Sequence, residues 1–177
     1  MHNDQAIQTA IDEVAALLDG SEVAMFTTRN REGRLVSRPL AARKASFDGS
    51  VWFLTALDSE KIGEIEADPR VNLAYVNAGN GAYVSIDGIA HVSVDRAQIA
   101  ALWSEVFDKL FFPAGKDDPN IAALRVEANT VEAWTSASSA VGRAFDFVKA
   151  RLTGDVAALG KQEHFDLHTG LRSSTSR

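Results

Sequence analysis

The stretch SRPLAARKASFDGSVWFLTALDSEK, Ser37–Lys61, decides the fold. Two runs of strand-forming residues flank Asp48-Gly49, a dipeptide that favours the positive φ angles of a two-residue hairpin. SVWFLT carries the β-branched and aromatic side chains that suit a pleated, half-buried surface. DSEK then opens a helix, with Asp58 or Ser59 placed as N-cap. Strand, turn, strand and helix start thus follow one another within a short span, and its first strand is basic.

Reading outward, EVAMFTTR precedes the stretch across the turn NREG, and VNLAYVN and AYVSIDGIAHVSV follow it; all have strand texture. Between Lys61 and VNLAYVN, Ile62 and Ile65 share one helical face and Pro69 lies beyond the end. At the N-terminus Ala6, Ile7, Ala10, Ile11, Val14, Leu17 and Leu18 follow the helical period. Ile99, Leu102, Trp103, Val106 and Leu110 predict another helix, capped by Asp95. IAALRVEANTVEAWT reads as two strands joined at Ala128-Asn129, and SSAVGRAFDFVKARL as a final helix. From Gly154 onward the chain is polar and reads as loose. The prediction is one domain over 1–160 and a flexible polar tail over 161–177. Its class is α+β, mainly β: a small closed or split antiparallel barrel of about six or seven strands with flanking helices, since closure removes exposed sheet edges.

A chain of 177 residues, 46% of them hydrophobic, suffices for one well-buried core. There are no cysteines, which removes disulfides, thiolate metal sites and thiol nucleophiles. A formal charge of −6 gives no global attraction to nucleic acid or anionic lipid, so neither is expected as a partner. No basic-then-apolar leader and no run of about 18 apolar residues is present, so a soluble cytoplasmic protein is expected. His164 and His168, in HFDLH, have the i, i+4 spacing of a helical metal pair but lack a third ligand, and a solvated pair is the better reading. GNGAY, Gly79–Tyr83, reads as a hairpin loop and not as a nucleotide fingerprint.

Local positive charge in an acidic chain needs a local explanation. A phosphate site requires cations and hydroxyl or amide donors at one point, and a helix N-terminus supplies free amides with a favourable dipole. Arg38 and Arg43 lie on one run, Thr55 ends the next, and Ser59 and Lys61 open the helix. The competing reading is ordinary solvated charge beside strands. Arg38 and Arg43 stand an odd number apart, so a regular strand would point them to opposite faces. Pro39, which cannot donate to a ladder, is therefore expected to mark a break in regular pairing.

The run RPLAAR…VWFLTALDSEKIGEIEADPRVNLAYVN resembles the flavin-binding core of the pyridoxamine 5'-phosphate oxidase-like split-barrel family. With the late VEAWTSASSAVGRAF, the layout is similar to its general stress protein 26-like branch. The resemblance implies an FMN-binding homodimer with the cofactor between subunits; FAD, deazaflavin F420 and haem are the other cofactors to consider. It implies that Arg38 and Arg43 form the basic pair on the phosphate-binding strand and that Ser59 and Lys61 meet the phosphate. Thr55 would contact the flavin, the backbone of Leu54 would lie along the ring, and Trp134 would approach it from the partner chain. Tyr83 falls where relatives place a polar side chain reaching across the dimer, although packing is its commoner use. Where the family often carries Arg before the lysine, this chain has Glu60, expected to face solvent. TSASSAVGRAF after Trp134 contains no histidine, unlike members that oxidise vitamin B6 phosphates. The implied function is an FMN-dependent oxidoreductase of another substrate; the alternative is a flavin-binding module without turnover, such as a redox sensor or cofactor reservoir.

Overall fold

A computed structural model of the chain describes residues 2–43, 47–79, 81–135 and 161–176. Its elements are α1 (His2–Leu18), β1 (Val23–Arg29), β2 (Leu35–Ala41), β3 (Ser50–Ala56), α2 (Glu60–Ala67), β4 (Arg70–Asn77), β5 (Ala82–Ser93), α3 (Arg96–Leu102), a 3-10 turn (Asp108–Leu110), β6 (Ile121–Thr135), β7 (Lys161–Asp166) and β8 (Arg172–Ser176). The class is α+β, with eight strands in the described residues and the antiparallel, mainly β character that the sequence predicts. The expected helix in SSAVGRAFDFVKARL lies outside the described residues.

The chain forms two compact units, and β4, β5 and β6 each contribute to both. In the unit made of 22–73 and 87–128, the strand order is β2-β1-β4-β5-β6, with β3 paired to β6. A bridge between Ala42 and Phe53 brings the end of β2 to β3, so the ring of six strands closes on itself. Alternating side chains of β1 point inward: Ala24 and Phe26 are fully buried, and Phe26 meets Phe53 edge-on at 5.6 Å. A second cluster, Leu54, Ile99, Phe112, Ile121 and Ala123, seats α3 against β3 and β6.

Three expectations for this unit are corrected. Asp48-Gly49 makes a turn, with Gly49 at φ 92° and Asp48 Oδ1 accepting from the Ser50 amide at 3.2 Å, but it does not join a two-residue hairpin. The ladder partner of β3 is β6, in register from Ser50↔Glu127 to Ala56↔Ile121. Pro39 marks no break, because the register β1–β2 runs without interruption from Val23↔Ala41 to Arg29↔Leu35. At Pro39 the strand is last in its ladder, where a missing N–H costs nothing. The predicted long helix after Asp95 stops at Leu102, although Asp95 does cap it, accepting from the Ala97 amide at 2.9 Å. The buried Asp108 carboxylate is held by Arg43 at 2.5 Å and also takes the Ser104 amide at 2.8 Å, which turns the chain and leaves Val106 and Leu110 exposed.

In the unit made of 1–21, 74–86 and 129–177, α1 buries Ala10 and Val14. The side-chain amide of Asn77 donates to the carbonyls of Leu17 (3.1 Å) and Asp19 (2.6 Å), satisfying the helix end. Residues predicted as a loose tail form the hairpin β7–β8, and β7 pairs with β6 from Thr130↔Asp166 to Thr135↔Lys161. The tail reading fails because Phe165 and Leu167 are buried and Arg172 bonds Glu13 and Glu163, so alternate positions of a polar stretch are anchored. Nor is IAALRVEANTVEAWT two strands. It is one strand of 15 residues whose partner changes near Ala128, from β3 to β7.

Candidate functional site

Near the end of β3, Leu54 and Thr55 are both buried, and after Ala56 the chain enters α2 through Leu57-Asp58. Asn120 fixes this entry: its carbonyl accepts from the Leu57 amide at 2.7 Å, its Oδ1 from the Asp58 amide at 3.1 Å, and its Nδ2 donates to Asp58 Oδ1 at 3.0 Å. Ser59 is the N-cap of α2 by backbone geometry, yet its side chain makes no capping bond. Its Oγ is buried with no hydrogen-bond partner among the described residues. Such a hydroxyl at the head of a helix is an unspent donor beside amides that are also free.

Lys61, in the first turn of α2, reaches back so that Nζ donates to Thr55 Oγ1 at 2.8 Å. Arg38 comes from β2. Its Nη2 donates to Glu64 Oε2 at 2.9 Å, its Nη1 to Thr28 Oγ1, and Thr28 Oγ1 itself donates to Glu64 Oε2 at 2.6 Å. Burial first, and the nearby Arg38 charge second, hold the Lys61 ammonium below its ordinary pKa of 10.5, while Glu64 and Asp58 act in the opposite sense. Two cations that repel each other in a half-buried place favour a bound anion, which would relieve both. Of the sequence-predicted residues, Lys61 thus meets Thr55 and lies near Arg38, Ser59 stands two positions before Lys61 at the start of α2, and Glu60 is exposed as expected.

Arg43 is spent elsewhere. Its Nη2 donates to Asp108 Oδ1 at 2.5 Å, its Nη1 to the Ala41 carbonyl at 3.2 Å, and its guanidinium lies 4.5 Å from the centre of the Phe107 ring. It locks the turn after α3 instead of joining Arg38 in a basic pair. Trp134, on β6 in the other unit, is 40% exposed, which places it outside that unit's core. Tyr83, also in that unit, is 54% exposed. His164 and His168 share no helix face: His164 Nδ1 lies 2.6 Å from Glu132 Oε1 and His168 Nε2 lies 3.0 Å from Asn129 Oδ1.

Two site residues, Thr28 and Glu64, were not foreseen. Glu64 had a signal, for it falls between Ile62 and Ile65 on the apolar side of a short helix, where a carboxylate survives only with a cation beside it. Thr28 had none, since threonine on a strand is ordinary.

The fold is an antiparallel split barrel in which Arg38, Thr55 and Lys61 lie near one strand end that feeds a helix. More specifically, residues 9–157 match the model of the family described as pyridoxamine 5'-phosphate oxidase like, and the chain belongs to that family. The general stress FMN/FAD binding protein of Xanthomonas citri is similar at 26% identity and a TM-score of 0.63, over 74% of this chain and 92% of that one. A general stress family protein of Xanthomonas campestris is similar at 27% identity and a TM-score of 0.62, over 78% and 93%. Protein bli-3 of Neurospora crassa is 25% identical over 85% of this chain and 77% of its own length. A general stress protein 26 from Jannaschia shares the fold over the full length of both chains, with a TM-score of 0.62 at 21% identity.

Proposed function

We propose that this protein is an FMN-binding flavoprotein of the general stress type, working as an oxidoreductase on a substrate other than pyridoxamine phosphate. The observation that carries the reading is Lys61 bonded to the buried Thr55 hydroxyl and set near Arg38, at the strand end that feeds α2, where Ser59 is the N-cap residue with an unpartnered Oγ. A phosphate monoester supplies what that group of donors lacks: several acceptor oxygens and a double negative charge. Arg38, Ser59 and Lys61 hold the phosphate in this reading, and Thr55 and the Leu54 backbone meet the rest of the cofactor. Trp134 approaches from the second subunit of a cytoplasmic homodimer. Arg43, committed to Asp108, serves as a structural clamp. The similarity to a general stress FMN/FAD binding protein supports the choice of a flavin. No helix among the described residues is long and apolar enough to cross a membrane.

FMN, when bound, supplies one- and two-electron redox chemistry, and the protein supplies placement and electrostatics. The absence of histidine from TSASSAVGRAF supports a substrate outside the vitamin B6 phosphates. Titration of the apoprotein with FMN and riboflavin, followed by flavin fluorescence, tests the phosphate site; equal affinity for the two refutes it. Anaerobic addition of NADH or NADPH to the loaded protein then tests turnover. Bound flavin that no donor reduces would make the protein a flavin-holding module.

A further inference from the structure

The amine of Lys61 differs from those of Lys109 and Lys116 in its surroundings. Lys109 and Lys116 are exposed, and Lys116 Nζ lies 3.2 Å from the Asp117 carboxylate. Lys61 is partly buried; its Nζ donates to Thr55 Oγ1 at 2.8 Å and makes no ion pair among the described residues. A hydroxyl steadies an ammonium less than a carboxylate does, and it can equally accept from a neutral amine, which still carries N–H groups. Burial and the nearby Arg38 charge both act against the charged form, and Glu64 and Asp58 oppose them more weakly. Thr55 is 6% exposed and fixed on β3, so it holds one N–H and leaves the lone pair of the neutral amine free.

We propose that Lys61 is an acylation site that takes the acyl group of a small acyl phosphate, a proposal that rests on the phosphate reading given above. The class of donor follows from the neighbours. The start of α2, where the Ser59 hydroxyl has no partner, offers donors to a phosphoryl group, and Arg38 adds positive charge nearby. In an acyl phosphate one oxygen separates the carbonyl carbon from phosphorus. A phosphoryl group held at this place therefore sets the carbonyl beside the amine.

The nitrogen lone pair attacks that carbonyl carbon, the N–C bond forms, and the bond from carbon to the bridging oxygen breaks. Phosphate leaves with the bonding pair and takes up the proton that nitrogen sheds, so no oxidant or reductant enters. The amide left on Lys61 is neutral. It removes the cation that the FMN phosphate uses, so modification shuts the site to flavin, and bound FMN in turn shields the amine.

The test incubates the apoprotein with acetyl phosphate, with and without FMN or inorganic phosphate, and follows acetyl-lysine at each position by peptide mass spectrometry. Lys61 is expected to react about tenfold faster than Lys109 and Lys116, a small part of what holding two reactants together can supply. FMN and inorganic phosphate slow Lys61 alone. Acetylated protein loses FMN affinity by about tenfold or more, the scale of a hydrogen bond to a charged group. Lys61→Arg keeps the cation without a reactive amine, so the same treatment leaves its FMN affinity unchanged. Acetylation of Lys61 no faster than of Lys109 and Lys116 overturns the inference, as does fast acetylation that neither FMN nor phosphate slows, or an equal loss of FMN affinity in treated Lys61→Arg. In each case tighter binding of FMN than of riboflavin by untreated protein still upholds the phosphate site; equal binding of the two removes the site and the acylation route together.

Discussion

Replacing Lys61 by Met removes the ammonium while keeping an apolar stem of similar length, and the structure sets the expected result from two sides. In the protein alone the ammonium is held unfavourably: burial and Arg38 depress its pKa, and Glu64 and Asp58 offset this only in part. Its removal relieves that strain but takes the donor from Thr55 Oγ1, whose residue is 6% exposed, at a cost of about 1 kcal/mol. The terms oppose each other, so unfolding stability should change by less than about 1 kcal/mol, or a few degrees in Tm. Binding of FMN should suffer far more, because a hydrogen bond to a charged group contributes about 1.5–3 kcal/mol, a factor of roughly 10 to 150 in Kd. The sign with pH follows from the depressed pKa. Wild-type affinity for FMN falls as pH rises through the Lys61 pKa, in a window below the ordinary 10.5, and the variant lacks this limb. Stability of the unliganded protein runs the other way: protonation is disfavoured in the folded state, so wild type gains on Lys61→Met across the same window. Fluorescence titration and thermal melts at several pH values read both. Wild-type affinity for FMN in the variant, or an equal loss for riboflavin, would refute the assignment.

Asp108→Asn should destabilise the fold by about 3–5 kcal/mol in urea, because it leaves the nearly buried Arg43 charge without its partner; a loss below 1 kcal/mol would show that the pair is no lock. Gly88→Ala should cost about 1–3 kcal/mol, since an added Cβ would stand 2.4 Å from the Glu127 carbonyl oxygen and 2.9 Å from Val126 Cγ1. An unchanged urea midpoint would contradict that close approach of β5 and β6. Phe165→Ala, at a fully buried position of β7, should cost about 3–5 kcal/mol in the same assay. A loose tail would show no change.

What was legible in the sequence follows the range of the forces involved. The Asn30–Gly33 turn is local, and it forms as read: Asn30 Oδ1 accepts from the Glu32 and Arg34 amides at 3.1 and 2.9 Å, so β1 and β2 pair as neighbours. The α2 cap is equally local. Asp48-Gly49 was a true turn signal inside a longer connection: the end of β2 does meet β3 antiparallel at Ala42↔Phe53, while the long ladder of β3 is completed by β6. The helix after Asp95 was overridden by one buried ion pair, Arg43–Asp108, whose members are 65 positions apart. No period in the sequence encodes a partner at that distance. The tail misled for a related reason: Phe165 and Leu167 alternate with polar residues, a strand pattern too brief to outweigh the polar composition around it.

The same distinction explains the candidate site. Ser59, Lys61 and Thr55 belong together because one strand end feeds one helix start, a local geometry that spacing alone suggests. Arg38 and Arg43 look equivalent along the chain, and only tertiary partners separate them. Glu64 and Thr28 turn Arg38 into the cluster, whereas Asp108 draws Arg43 to the turn after α3. Glu64 has a further consequence for chemistry. It neutralises one of the two cations, so Arg38 does not stand as a free charge beside Lys61. In the proposed phosphate site the uncharged donors at the head of α2, among them the unpartnered Ser59 hydroxyl, then matter as much as the cations.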